Sequence, residues 1–300
     1  MDLKALLRLV RIHNVIGAML GDLMGYLVSS FWNIDPFKVV VSMAVVGLVA
    51  AGGYVINDYF DIEIDRINKP DRPLPSGKIS ERTAMVLALG MFVLGDAFSI
   101  MLGPLPLALA LFTSIMLYFY AKDLKKTGVP GNLTVALTNG LSIFYGGAAF
   151  MEGEWFIRVV LPSFYSFFLT LVREFVKGIE DYEGDKANNV RTLAVTSGVE
   201  KAWTISKTFL VLVLVISPLP IFFGFNFIYL AILVLAFIPS VIISIMQKPS
   251  ISSASKARGY LKISMLTGIL AFLFGSIPIP EAYLLQFSFQ ILLLLPSNLH

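Results

Sequence analysis

The chain has 300 residues, 57% of them hydrophobic and 14% charged, with a mean hydropathy of +0.80. A soluble domain carries about 25% charged residues, so this composition argues against a soluble protein and for a polytopic membrane protein. Cysteine is absent, which excludes disulfides and thiolate chemistry; with only His13 and His300 there is little basis for a histidine zinc site, and the formal charge of +3 matters less than where the charges fall.

In chain order, nine apolar stretches are long enough to span a bilayer, at about 20 residues each for a 30 Å core. They fall at 12–32, 38–56, 83–102, 104–120, 133–151, 158–176, 206–224, 227–246 and 262–280. Gly103-Pro104 separates the third from the fourth, and Pro218, Pro220 and Gly224 mark the turn after the seventh. The first apolar run is followed by more membrane segments rather than by a small-residue cleavage site, so no cleavable signal peptide is expected. The expected fold is all-α, with residues 1–280 as a single transmembrane domain and 281–300 as an interfacial tail. If the N-terminus is cytoplasmic, 21 of the 23 basic residues lie on the cytoplasmic side, leaving Lys38 and Arg158 for the other. That asymmetry predicts a multi-pass protein of the cell membrane with its N-terminus inside and its C-terminus outside.

The second span runs into NDYFDIEIDRINKPDRPLPSG at 57–77. On a continuing helix Asn57, Asp61 and Asp65, spaced by four, form one stripe with about 6 Å between neighbours. After the sixth span, REFVKGIEDYEGDK at 173–186 repeats the spacing with Asp181 and Asp185. Carboxylates that close repel by about 3 kcal/mol at an effective dielectric near 20, so a partly desolvated site needs a counter-charge. Carboxylate, amide and water oxygens suit magnesium, which usually completes its shell with phosphate oxygens. A phosphorylated ligand is therefore implied. Solvated loop charge is the bland alternative, and it suits Glu63, Asp71 and Glu183.

Arg66, Lys69, Arg72, Lys122, Arg173 and Lys177 flank the carboxylates or open the neighbouring loop, where they suit a phosphate. Pro70, Pro73 and Pro75 with Gly77 stop the helix and stiffen a segment able to lie over the site. Asp22 and Asp96 lie deep in their spans and are expected to hydrogen-bond neighbouring helices. Asn132 and Asn139, among small residues, are expected to serve helix packing.

Asn57, Asp58, Asp61 and Asp65, then NKPDRPLPSG at 68–77, then Asp181 and Asp185, together resemble the UbiA superfamily of intramembrane prenyltransferases. Tyr118 and Lys122 match that family's Y-x-x-x-K element, and RIHN at 11–14 its R-x-x-N. The resemblance covers nearly the whole chain. The second motif is most similar to the archaeal ether-lipid branch, and Lys69 stands where the chlorophyll branch is expected to carry glutamate. It implies a ring of nine helices around a central cavity with a cytoplasmic-side cap. It also implies magnesium, as two ions bridging the diphosphate of an isoprenyl donor, held by Asn57, Asp61, Asp65, Asp181 and Asp185. Lys122, Arg66, Arg72 and Lys177 are the implied diphosphate contacts, with Tyr118 as a hydrogen-bond donor. Arg11 and Asn14 are candidates for the acceptor's phosphate or glycerol. The implied reaction transfers a geranylgeranyl group to the hydroxyl of geranylgeranylglyceryl phosphate. Either a motif aspartate or the released diphosphate takes the proton.

An aromatic quinone precursor or a chlorophyll-type acceptor is the alternative within this chemistry, and a cation-coupled transporter is the alternative outside it. Transporters, however, place such carboxylates near the midplane, whereas both clusters here lie at one face. The expected partners are the donor, the acceptor and membrane lipid, with no nucleic acid and no protein partner.

Overall fold

The computed structural model describes residues 2–188 and 190–279; the tail expected at 281–300 lies outside them. Every regular element among the described residues is helical. In order these are α1 (Leu3–Leu9), α2 (Ile12–Ser30), α3 (Pro36–Phe60), α4 (Ile62–Asn68), α5 (Glu81–Ser99), α6 (Pro104–Lys122), α7 (Val129–Phe150), α8 (Trp155–Glu180), α9 (Tyr182–Ala187) and α10 (Leu193–Ser197). The rest are α11 (Val199–Ile216), α12 (Phe227–Ile232), α13 (Ile238–Met246) and α14 (Ile251–Gly275), with short 3₁₀ turns after α5, α6 and α11. A π turn joins α12 to α13 just before Pro239, where the missing N–H and the bulk of the ring disturb regular α pairing.

All nine expected spans are helical, and eight are long and apolar enough to cross a membrane on length and composition alone. The ninth, α2, is diluted by His13, Asn14, Asp22 and three glycines, and it is packed against α3, α7 and α8. Helix ends differ from the expected limits where polar residues continue a helix past the apolar run. α11 starts at Val199 rather than 206, and α14 covers Ile251–Gly275 rather than 262–280. Ser250 caps α14 by accepting the Ser253 N–H, which fixes its start eleven residues before the expected one.

α3 packs on α2, α5 and α6, α7 on α2, α6 and α8, and α8 on α11 and α14. Two apolar cores result, one centred on α2, α3, α5 and α6, the other on α7, α8 and α11–α14. α2 and α7 cross at glycines. A Cβ on Gly25 would lie 1.8 Å from the Ile143 carbonyl oxygen, and one on Gly146 1.9 Å from that of Asp22. Only glycine permits so close a backbone approach.

α1, α4, α9 and α10 lie at the same end of the bundle, with the loops α6–α7 and α13–α14. Long-range contacts hold this end together: Arg11 reaches Asp58, Lys125 reaches Asp61, and Arg258 reaches Glu180.

Candidate active site

Both acidic motifs are built alike. α3 ends at Phe60, Asp61 breaks the helix at φ −94°, ψ 1°, and α4 follows. α8 ends at Glu180, Asp181 breaks it at φ −87°, ψ 7°, and α9 follows. The amide ladder runs through both breaks: Asp61 N–H bonds to Asn57 O at 3.1 Å and Asp65 N–H to Asp61 O at 2.8 Å, while Asp181 and Asp185 repeat the pattern at 2.9 Å each. The expected stripes are therefore kept, each with a kink at its first aspartate.

The first motif is compensated by cations. Asn57 Nδ2 donates to Asp61 Oδ2 at 3.0 Å, and the Lys125 ammonium pairs with the other Asp61 oxygen. Arg72 Nη1 lies 2.5 Å from Asp65 Oδ2 and 3.1 Å from Asp58 Oδ1, and Arg11 Nη2 lies 2.5 Å from that same Asp58 oxygen. Asp58 and Asp65 are buried, at 4% and 5% exposure. Arg11 is the residue before α2 and sits in the left-handed region at φ 51°, ψ 57°, a conformation costing about 1 kcal/mol outside glycine. Its ion pair with Asp58 and its position 5.2 Å above the Tyr54 ring hold it there.

The second motif has no such partners. Asp181 is exposed, Asp185 is half-buried, and neither forms an ion pair among the described residues. Burial, then the charge of Asp181, pushes the Asp185 carboxyl above the usual range, opposed by Lys177 and by a hydrogen bond from Thr192. Nearby, Arg173 pairs with Glu174 at 2.9 Å, and Arg258 holds Glu180 at 3.0 Å.

A cavity of about 250 Å³ opens between α2, α3, α6 and α7. Arg11, Tyr54, Asn57 and Tyr120 line its motif end. Its wall runs down α3 from Asn57 to Val45, twelve residues or about 18 Å of helix. Val46, Val49, Ala50, Leu117 and Leu141 make the wall apolar, and Thr113, Thr138, Asn139 and Ser142 add a polar strip. Tyr120 lies within electrostatic reach of Glu174, Asp61 and Arg11.

Some expected site residues stand elsewhere. Arg66 is half exposed and pairs with Glu63 at 2.5 Å and Glu81 at 3.2 Å, away from the other carboxylates. Lys122 is exposed, and Tyr118 packs edge-on against Phe60 at 5.7 Å and against Phe119. Asn14 stands beside Tyr54, and Lys177 is exposed beside Asp185. Asn139, expected to serve packing, lines the cavity. The sequence reading missed Lys125, Tyr120, Tyr54 and the hub role of Asp58. A signal for Tyr120 was present: Thr113, Leu117 and Tyr120 share a helix face by their spacing of four and three.

Among the described residues, no three acidic or histidine side chains converge as a ready-made metal site. Magnesium does not need one, because one or two carboxylates plus substrate phosphates and water complete its shell. Asn57 and Asp61 of the first motif and Asp181 and Asp185 of the second offer oxygen donors of the kind this ion takes, so the residue types fit it.

Fold and site together define a multi-pass helical membrane protein with a charged site at the mouth of a largely apolar chamber. Residues 18–280 match the UbiA prenyltransferase family. The chain is 60% identical over 278 residues to the digeranylgeranylglyceryl phosphate synthase of Saccharolobus solfataricus, covering 93% of this chain and 99% of that protein. A solved structure of a digeranylgeranylglyceryl phosphate synthase superposes with a TM-score of 0.84 at 38% identity, covering 92% of this chain and 99% of that one. A UbiA homolog from Archaeoglobus fulgidus, solved with GPP and Mg2+, shares the fold at a TM-score of 0.65 and 21% identity, over 92% of this chain and all of that one. The chain belongs to the UbiA prenyltransferase family, and is thus an intramembrane prenyltransferase.

Proposed function

We propose that the protein transfers a geranylgeranyl group from its diphosphate to the free hydroxyl of geranylgeranylglyceryl phosphate, forming the second ether bond of an archaeal lipid. The observation that carries this reading is the pair of like-built aspartate motifs, each kinked at its first aspartate, with Asn57 of the first at the mouth of a largely apolar chamber. The 60% identity to a synthase of that name supports this acceptor over an aromatic one.

Asn57, Asp61, Asp181 and Asp185 would hold magnesium, which when bound neutralises charge building on the departing diphosphate. Lys125 stands beside Asp61, placed to pair with phosphate oxygens once the aspartate turns to the metal. Arg72 pairs with Asp65 and Asp58 and holds them in place rather than reaching the donor. The apolar wall from Val49 to Leu117 receives the isoprenoid tail and keeps water from the electron-deficient carbon. The allylic C–O bond breaks, its electron pair leaves with the diphosphate, and the acceptor oxygen bonds to that carbon. The hydroxyl proton passes to a motif aspartate or to the diphosphate. The basic loops support a cytoplasmic location for this face.

Purified protein in detergent with magnesium and both substrates is expected to make the doubly prenylated glyceryl phosphate. Asp61→Ala and Asp181→Ala each reduce product by about a hundredfold or more, the scale on which removing an electrostatic stabiliser acts. Turnover with an aromatic acceptor instead would move the protein to another branch of the family.

A further inference from the structure

Chamber depth bears on a property that motifs at its mouth cannot set, the length of chain it accepts. α3 and α7 run antiparallel down its sides. Asn57 and Val135 stand at the motif end, and Val45 and Tyr145 stand about 15–18 Å deeper. The deepest lining residues are also the most enclosed: Val45, Ala110 and Tyr145 are 1%, 2% and 4% exposed, whereas Arg11 and Asn57 at the mouth are half-buried. The chamber therefore closes at this depth.

Tyr145 is held in place there. Its hydroxyl shares a 2.6 Å hydrogen bond with Ser99 of α5. The next residue, Gly146, is locked against α2 at the tight crossing, so the backbone carrying the ring cannot slide along the chamber axis. Two more bonds brace the helices around this depth, the buried one from Ser42 to Asp22 at 2.9 Å and the partly buried one from Ser114 to Asp96 at 3.1 Å. These fulfil the expectation for both acids, and they tie α2 to α3 and α5 to α6. A floor braced in this way yields little to an overlong chain, because close-packed interiors resist added methylenes.

We infer that Tyr145, with Ala110 and Val45, forms the floor of the isoprenyl chamber and sets the upper chain length of the donor. The inference rests on the reading of this chamber as the donor site. Its test is competition between donor diphosphates of three, four and five isoprene units, with product ratios read by mass. Tyr145→Ala lowers the floor and is expected to raise the five-to-four-unit product ratio by about tenfold or more, since even one methylene discriminates by that factor in a tight pocket. Ala110→Leu raises the floor and shifts the ratio toward three units. Tyr145→Phe keeps the ring, and with it the wild-type length limit, whatever it does to the rate. Ratios are read within one preparation, so partial loss of folded protein does not mimic the effect; should Tyr145→Ala not fold, Ala110→Leu carries the test. Unchanged ratios in the folded variants, with transfer intact, overturn the floor and leave the prenyl-transfer reading standing. No diphosphate release from any donor by the wild type overturns both.

Discussion

Arg66 and Arg72 stand in one loop, both offered by the sequence as diphosphate ligands, yet the structure gives them different partners. Arg72 bridges two buried carboxylates, Asp58 and Asp65, while Arg66 serves Glu63 and Glu81 at the surface. Removing Arg72 leaves Asp65 buried without a cation, a change of about 3–5 kcal/mol, toward the lower end because Arg72 keeps 25% side-chain exposure. Arg66→Ala costs less than about 1 kcal/mol, the scale of exposed pairs. Thermal unfolding in detergent should thus separate the two variants clearly, and equal shifts would refute the hub. Lys125 and Lys122 divide in the same way. Lys125→Ala is expected to cut diphosphate release by at least about tenfold, whereas Lys122→Ala, with its ammonium exposed, changes it little; the reverse order would return the role to Lys122. Residue types and their loop were legible in the sequence. Which of two nearby cations turns inward was not, because that depends on the 3₁₀ turn at Leu124–Lys126 and on packing between distant helices.

At the scale of elements, the spacing of four at Asp61/Asp65 and Asp181/Asp185 was readable, and the shared break was not. A helix broken at its first aspartate re-aims the second without losing the amide ladder, and the structure does this twice, on α3–α4 and on α8–α9. The two halves thus repeat one device, in keeping with the 120-residue offset between Asp61 and Asp181. Helix existence followed from apolar length; helix ends did not, because capping and backbone bonding continue α11 and α14 through polar residues. Crossings are set by glycines that a hydropathy profile treats alike. Gly146→Ala drives a methyl into the Asp22 carbonyl and is expected to lower the unfolding temperature or prevent assembly, whereas Gly17→Ala, with nothing within 4 Å of its added Cβ, should be tolerated. Comparable losses in both would mean that the α2–α7 contact is looser than described.

Across the whole molecule the charge asymmetry meets the packing at its two exceptions. Lys38 is matched at the opposite end by Glu152 at 2.9 Å and by the Phe150 carbonyl at 3.3 Å. Arg158 is buried at 2% exposure and bonds the Val28 carbonyl at 3.4 Å. These two are the exceptions among 23 basic residues, so the asymmetry still favours a cytoplasmic face for the aspartate motifs. With no cysteine in the chain, a single introduced thiol reports its own side of the membrane. Ser76, exposed in the loop between α4 and α5, and Asn33, exposed between α2 and α3, lie at opposite ends of the bundle. In intact cells a membrane-impermeant maleimide is expected to label Asn33→Cys and to leave Ser76→Cys unlabelled until the membrane is opened. The opposite pattern would turn the aspartate motifs outward, away from any cytoplasmic supply of isoprenyl diphosphate, and the proposed reaction would then lack its donor.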